Sequence, residues 1–270
     1  MRRLVIFGDS WTTGYYQDRD DTTGFTIGRG FPSHLGDRLR EELGCEVLNL
    51  GRAGASNPLI AHHVMRYMLS GEMRPTDSIL VVWSEYKRYY ALDDTKGILD
   101  YDDFDYIIHL NKFRHDNEEF RQVWPEQRNI AVWRMLNEQA MHSVRMVCED
   151  NNIPYRMTNS FDNTWIVDKH IWQGELRPIK NYKGKSLDNY IDADKPHNTL
   201  MDVLSGIYND PALKDNWNLS FHDKLTILIG KRERHKHIDE LFTPCNHPSP
   251  KGIKVLAKHL APYIKPIIEE

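Results

Sequence analysis

The chain has 270 residues, and its 35 Lys+Arg against 39 Asp+Glu leave a formal net charge of −4. That length supports a self-sufficient hydrophobic core, and the near-balance of charge lacks the concentrated basic face of a general nucleic-acid binder. Cys45, Cys148 and Cys245 form no CxxC pair, which excludes a disulfide scaffold and argues against a structural zinc site, and no apolar run nears the roughly 20 residues of a membrane span.

Leu4-Val5-Ile6-Phe7 is a continuous apolar run, the pattern of a strand buried on both faces of a parallel sheet. It follows Met1-Arg2-Arg3 but stops at Gly8, too short for the apolar region of a signal peptide, so a soluble protein, cytoplasmic at synthesis, is expected. Residues 31–43 place Leu35, Leu39 and Leu43 at helical spacing, and Gly44 is the expected stop. Residues 46–50 read as a second strand. Residues 58–69 read as a second helix, with Pro58 in its first turn and Ser56 or Asn57 as its cap. Residues 78–83 form a third apolar run. Strand, helix, strand, helix, strand predicts a parallel sheet covered by helices.

Residues 84–123 are rich in Tyr, Asp and Lys and show no clean period. Residues 124–150 predict a long helix and 153–157 a fourth strand. Residues 160–240 are polar and read as an inserted lobe or long excursions, with short helices around 200–208 and 225–229. Ile253, Leu256, Leu260 and Ile264 predict a final amphipathic helix over 252–268. With no internal repeat or flexible linker, 1–270 is one domain carrying a large insertion.

Gly8-Asp9-Ser10 follows the first strand directly, and ligands of open parallel sheets bind beyond the carboxyl ends of the strands. A serine hydroxyl there becomes a useful nucleophile only with a base in reach and donors for the developing oxyanion. His247, just before the final helix, is the candidate base. The backbone N–H groups of Ser10 and of Gly54, after the second strand, are the candidate donors. The plainer alternatives are a serine that caps the first turn, a surface histidine and a turn glycine; Asp9 reads as a structural hydrogen-bonder. His62-His63 reads as packing or surface, the His235/His237 run as a solvated face, and Cys245 lacks the setting of a nucleophile. No metal site is expected.

These residues resemble the SGNH (GDSL) hydrolases. Gly8-Asp9-Ser10 resembles that family's first block, Gly51 to Asn57 its second, and His247-Pro248 with Gly252 its fifth; the resemblance covers residues 1–90 and 243–268. It implies a flavodoxin-like three-layer α/β/α sandwich, with Ser10 as nucleophile, His247 as base and Gly54 in the oxyanion hole. No cofactor is implied. Two departures stand out. The third block's usual Gly-x-Asn-Asp is replaced by Trp83-Ser84-Glu85-Tyr86, which leaves two backbone donors or a borrowed Asn57. The aspartate expected before the histidine is replaced by Pro244 and Cys245. That leaves Asn246 or a backbone carbonyl to orient the imidazole, with Asp239 and Glu240 in reach only if the loop doubles back. Trp11, Trp83, Glu85 and Arg88 are the candidate substrate-binding residues.

The expected activity is hydrolysis of a short acyl ester, such as an O-acetyl group on a carbohydrate. The alternative is a fold that has weakened or lost catalysis and serves as a binding or structural protein. The divergent blocks are also similar to SGNH-like proteins of tailed bacteriophages, which implies a virion-associated, glycan-binding role with virion partners or a homo-oligomer.

Overall fold

The computed structural model describes residues 2–13, 16–18, 26–28, 34–52, 55–84, 90–92, 107–109, 126–161, 167–169, 176–178, 189–191, 199–211, 221–243 and 246–269. In chain order these hold β1 (Arg3–Gly8), α1 (Ser10–Thr13), β2 (Tyr16–Asp18), β3 (Thr26–Gly28), α2 (Leu35–Leu43), β4 (Val47–Asn49), α3 (Asn57–Leu69) and β5 (Asp77–Trp83). There follow β6 (Tyr90–Leu92), β7 (Ile107–His109), α4 (Glu126–Asp150), β8 (Tyr155–Asn159), β9 (Val167–Lys169) and β10 (Leu176–Pro178). The chain closes with α5 (Leu200–Ser205), a 3-10 turn (Ile207–Asn209), α6 (Phe221–Arg234), α7 (Lys236–Asp239) and α8 (Pro250–Glu269).

β4, β1, β5 and β8 lie side by side in that order, and all their pairings are parallel. β2–β3, β6–β7 and β9–β10 are separate antiparallel pairs. The main sheet has the strand order of a doubly wound α/β fold of the flavodoxin type, as expected. Its alternating residues feed two cores. Leu4, Ile6, Leu80 and Val82 pack with Leu35 and Leu39 of α2 and with Ile253, Leu256, Leu260 and Ile264 of α8. Val5, Phe7, Ile79 and Val81 pack on the other face with Ile60 and Val64 of α3 and Val144 and Cys148 of α4. The central strands are therefore continuously apolar over Leu4–Phe7 and Ile79–Trp83, because both faces are covered.

Local chemistry sets most boundaries. Gly44 ends α2 in the left-handed region at φ 64°, its N–H bonded to the Arg40 carbonyl. The fourth strand runs two residues later than its apolar run predicts. Ile153 N–H closes the end of α4 on the Cys148 carbonyl, and Pro154, which has no N–H, only accepts from Ile79. α6 extends further at both ends than its apolar residues suggest, because its last turn is charged (Lys231, Arg232, Arg234). Within 160–240, Leu200, Met201, Leu204, Leu228 and Ile238 share the α2/α8 cluster. Thr199 also bridges Asn159 in parallel fashion.

At the amino end of the sheet, β1 and β5 are joined by a buried charge cluster. Arg3 donates from Nε to Asp77 Oδ1 and from Nη2 to Oδ2, both at 2.8 Å, and Tyr67 donates its hydroxyl to Oδ2 at 2.7 Å. Burial pushes the Asp77 carboxyl up, but hydrogen bonds from Arg3, the Arg74 N–H and Tyr67 together hold it below the usual carboxylate value.

Candidate active site

The chain runs from β1 to the β4 side and then crosses to β5 on the other side of β1. The carboxyl ends of β1 and β5 thus flank the crevice where a sheet of this kind binds ligands. Ser10 stands there, directly after β1. Gly8 is required at the strand end, since a Cβ would lie 2.5 Å from Thr12 Cγ2 and 2.9 Å from the Val82 carbonyl oxygen. Asp9 caps α1: its Oδ1 accepts the Trp11 N–H at 3.0 Å, and its carbonyl accepts the Thr12 N–H at 3.0 Å. Its carboxylate also accepts the Ser84 hydroxyl at 2.8 Å and the Ser160 hydroxyl at 3.2 Å. Fully buried Asp9 therefore ties together the ends of β1, β5 and β8 and fixes the turn that presents Ser10. The Ser10 N–H opens this turn, where a helix leaves its first amides without internal acceptors.

His247 reaches the same place from the far end of the chain. Its Nε2 lies 2.8 Å from Ser10 Oγ, across 237 residues of sequence. Thr243 and His247 are bonded to each other: the Thr243 N–H donates to the His247 carbonyl at 2.8 Å, and the His247 N–H donates to Thr243 Oγ1 at 3.2 Å. Phe242 and Pro248 form an antiparallel bridge, and the Ser249 N–H donates to the Leu241 carbonyl at 2.9 Å. Ser249 Oγ then accepts the Gly252 N–H at 3.1 Å at the start of α8. Gly252 allows this close packing, because a Cβ would sit 2.2 Å from the Leu241 carbonyl oxygen. Gly252→Ala is expected to lower stability by about 1–3 kcal/mol through overpacking, and to reduce turnover by displacing His247. A thermal melt alongside an ester assay checks both effects.

Several sequence expectations change here. Trp11 and Trp83 are not substrate-binding surfaces, since both are 0% exposed. Trp11 packs edge-on against Phe161 and Phe242 with ring centroids 5.0 and 6.4 Å apart, and Trp83 is part of the α3/α4 core. Asn57 is not placed to serve an oxyanion. Its Nδ2 donates to the Ser84 carbonyl at 3.1 Å and to Asn137 Oδ1 at 2.5 Å, so both amide hydrogens are engaged. Its Oδ1 accepts the Ser84 N–H at 2.6 Å. Asn246 does not orient the imidazole: it is hydrogen-bonded to Arg232 instead. Asp239 pairs with Arg232 and Glu240 with Lys251, so neither upstream carboxylate turns toward His247. Gly54, Glu85, Arg88 and Cys245 lie outside the described residues.

Other candidates fall into place. Cys148 is buried, and burial pushes its thiol up to about 12, the mark of an inert core thiol. His62 and His63, and His235 and His237, stand as neighbouring rings 6.2 and 5.7 Å apart. Among the described residues no group of three or more His, Cys, Asp or Glu converges to hold a metal ion, and no helix is long and apolar enough to cross a membrane. Sequence reasoning missed the supports of the site: Ser84, Ser160, Asn137 and Arg232. Ser84 and Ser160 bond Asp9 across 75 and 151 residues and Asn137 bonds Asn57 across 80, and no local motif marks such contacts.

No protein-family model and no curated protein matches the chain. Similar solved structures include a G-D-S-L family lipolytic protein of Desulfitobacterium hafniense DCB-2, with 12% identity, TM-score 0.46, and 97% of this chain and 99% of that one covered. An aryl esterase of M. smegmatis aligns at 12% identity and TM-score 0.43 over 99% of this chain and 100% of that one. Est24, a carbohydrate acetylesterase from Sinorhizobium meliloti, aligns at 10% identity and TM-score 0.41 over 99% and 100%. None of these comparisons supports a bacteriophage origin.

Proposed function

We propose that the protein is a serine ester hydrolase of the SGNH type acting on a short acyl ester, with an O-acetylated carbohydrate as its substrate class. The observation that carries this reading is the 2.8 Å contact between Ser10 Oγ and His247 Nε2 at the carboxyl edge of the sheet. That distance lies within hydrogen-bond reach for a nucleophile and its base.

Ser10 Oγ attacks the ester carbonyl while His247 Nε2 takes the hydroxyl proton. The tetrahedral oxyanion is held by the N–H groups of Ser10 and Gly54. Collapse breaks the bond to the alcohol, which leaves with the proton from His247, and an acyl group remains on Ser10. Water, deprotonated by His247, then attacks the acyl-enzyme; the acid departs and Ser10 regains its proton. Apart from the ester and the water, this sequence uses only groups of the chain.

A fluorophosphonate, which traps an activated serine, tests the reading. Folded wild-type protein is expected to be labelled at Ser10 and the Ser10→Ala variant to stay unlabelled. Absence of labelling in folded wild-type protein overturns the proposal. The binding-only alternative has one observation in its favour, the commitment of Asn57 to Ser84 and Asn137, which deprives the hole of that side-chain donor. Glycan-array binding that survives Ser10→Ala, with no turnover of any ester, would establish it.

A further inference from the structure

The turn that carries His247 is held firmly from outside. The group that holds it is Arg232, in the last turn of α6. Its Nη1 donates to the Thr243 carbonyl at 3.0 Å and to Asn246 Oδ1 at 2.5 Å, and its Nε donates to Asp239 Oδ1 at 2.8 Å. We infer that Arg232 is a positioning residue for catalysis: its guanidinium clamps the His247 turn at the distance from Ser10 that proton transfer needs. This inference rests on the hydrolase reading.

Three features make the clamp specific. Its anchors span residues 239–246, so one planar group braces the turn from α7 to the residue before His247. Asn246 sits at φ 63°, in the left-handed region that favours glycine and tolerates asparagine, and Arg232 grips that side chain. The Thr243 carbonyl, gripped by Arg232, also accepts the Asn246 N–H at 3.0 Å. A lysine cannot make these contacts together, because they need the fixed fork of a guanidinium.

Both members of the proposed pair connect to the clamp. The guanidinium carbon lies 5.8 Å from the centroid of the Phe242 ring, and Phe242 packs against Trp11, the neighbour of Ser10. The helix bearing Arg232 is itself pinned. Lys224 Nζ donates to Asp202 Oδ2 at 2.7 Å, and that oxygen also accepts the Thr199 hydroxyl at 2.7 Å. Lys224 and Asp202 are both buried, so the clamp stands on an element that cannot drift easily. In a Ser-His-Asp triad the carboxylate both orients the imidazole and stabilises its charge. Arg232 supplies the first of these through the backbone.

The test uses the full chain and p-nitrophenyl acetate, with fluorophosphonate labelling as a second readout. Arg232→Ala is expected to lower kcat by about 10²-fold, since a displacement near 1 Å costs that much, with KM held within about twofold. Arg232→Lys is expected to recover only part of that loss, and added guanidinium ion to restore part of the Arg232→Ala rate. Asn246→Gly keeps the left-handed backbone, removes one anchor and is expected to lower kcat by about 10-fold, which tests the clamp independently should Arg232→Ala fail to fold. In a His247→Ala background, Arg232→Ala is expected to leave the residual rate unchanged, because there is no imidazole left to position.

A folded Arg232→Ala protein with wild-type kcat overturns the inference. So does an equal further loss in the His247→Ala background, which marks a general structural role. If wild-type protein is labelled by the fluorophosphonate and Arg232→Ala is labelled at the same rate, the clamp is disproved and the hydrolase reading stands. If wild-type protein is not labelled, the hydrolase reading falls and the inference falls with it.

Discussion

Ser10→Ala and His247→Ala are each expected to lower kcat for a short-chain ester by about 10³-fold, with the double variant no worse than either alone. A complete triad loses about 10⁶ when either residue is removed, because the two act as one unit. Where the imidazole tautomer is left unassigned, a triad starts about 10⁴ lower, so that only about 10² is left to lose. The Ser10–His247 contact at 2.8 Å and the closed turn around His247 keep the base in place and recover part of that deficit. The expected loss therefore lies between these bounds. Kinetics with p-nitrophenyl acetate check it: losses that multiply in the double variant would show that the two residues do not work together.

Asp77→Asn is expected to produce a large loss of stability. Arg3 is 8% exposed and its partner Asp77 fully buried, so the substitution leaves the guanidinium with only the exposed Glu46, 3.8 Å away, as a carboxylate partner. Breaking a buried pair in this way costs about 3–5 kcal/mol. For a chain of this size that is roughly 10 °C in Tm. Removing the whole cluster is expected to cost far less: Arg3→Met, Tyr67→Phe and Asp77→Leu together leave no orphaned charge and should recover most of the lost stability.

The same cluster predicts a direction of pH dependence. The Asp77 carboxyl is held below its ordinary value in the folded state, so the unfolded chain takes up its proton first as pH falls. The stabilisation from Asp77 is thus fully present above the unfolded value near about 3.9 and is lost as pH falls through the lower folded value. Chemical denaturation of wild-type and Asp77→Asn protein across that acid range checks the sign: the gap between them is expected to narrow as pH falls.

The framework was legible because its signals are local. β1, β5 and the helices α2, α3 and α8 announce themselves through apolar runs, helical spacing and the Gly44 stop. These depend on residues within one turn or one strand of each other. Ser10 and His247 were legible as candidates for a similar reason, since a serine after the first strand and a histidine before the last helix occupy places set by element order. The surroundings of the site were not legible in this way. Trp11 and Trp83 looked like substrate surfaces from their position in the chain, yet packing on Phe161, Phe242 and the α3/α4 core removes them from solvent. Asn57 looked available until the fold placed Ser84 and Asn137 against its amide.

By itself the sequence determined a parallel α/β sheet and the chain positions of the serine and the histidine, because strand and helix patterning and turn chemistry act between near neighbours. Only the tertiary structure decided that these two residues meet, that Asp9 ties three strand ends together through Ser84 and Ser160, and that Arg232 bonds to Thr243 and Asn246 beside His247. Each of those contacts joins residues from different elements. Their distances follow from how the layers pack around two cores, a property of the assembled sheet and helices that no local spacing encodes.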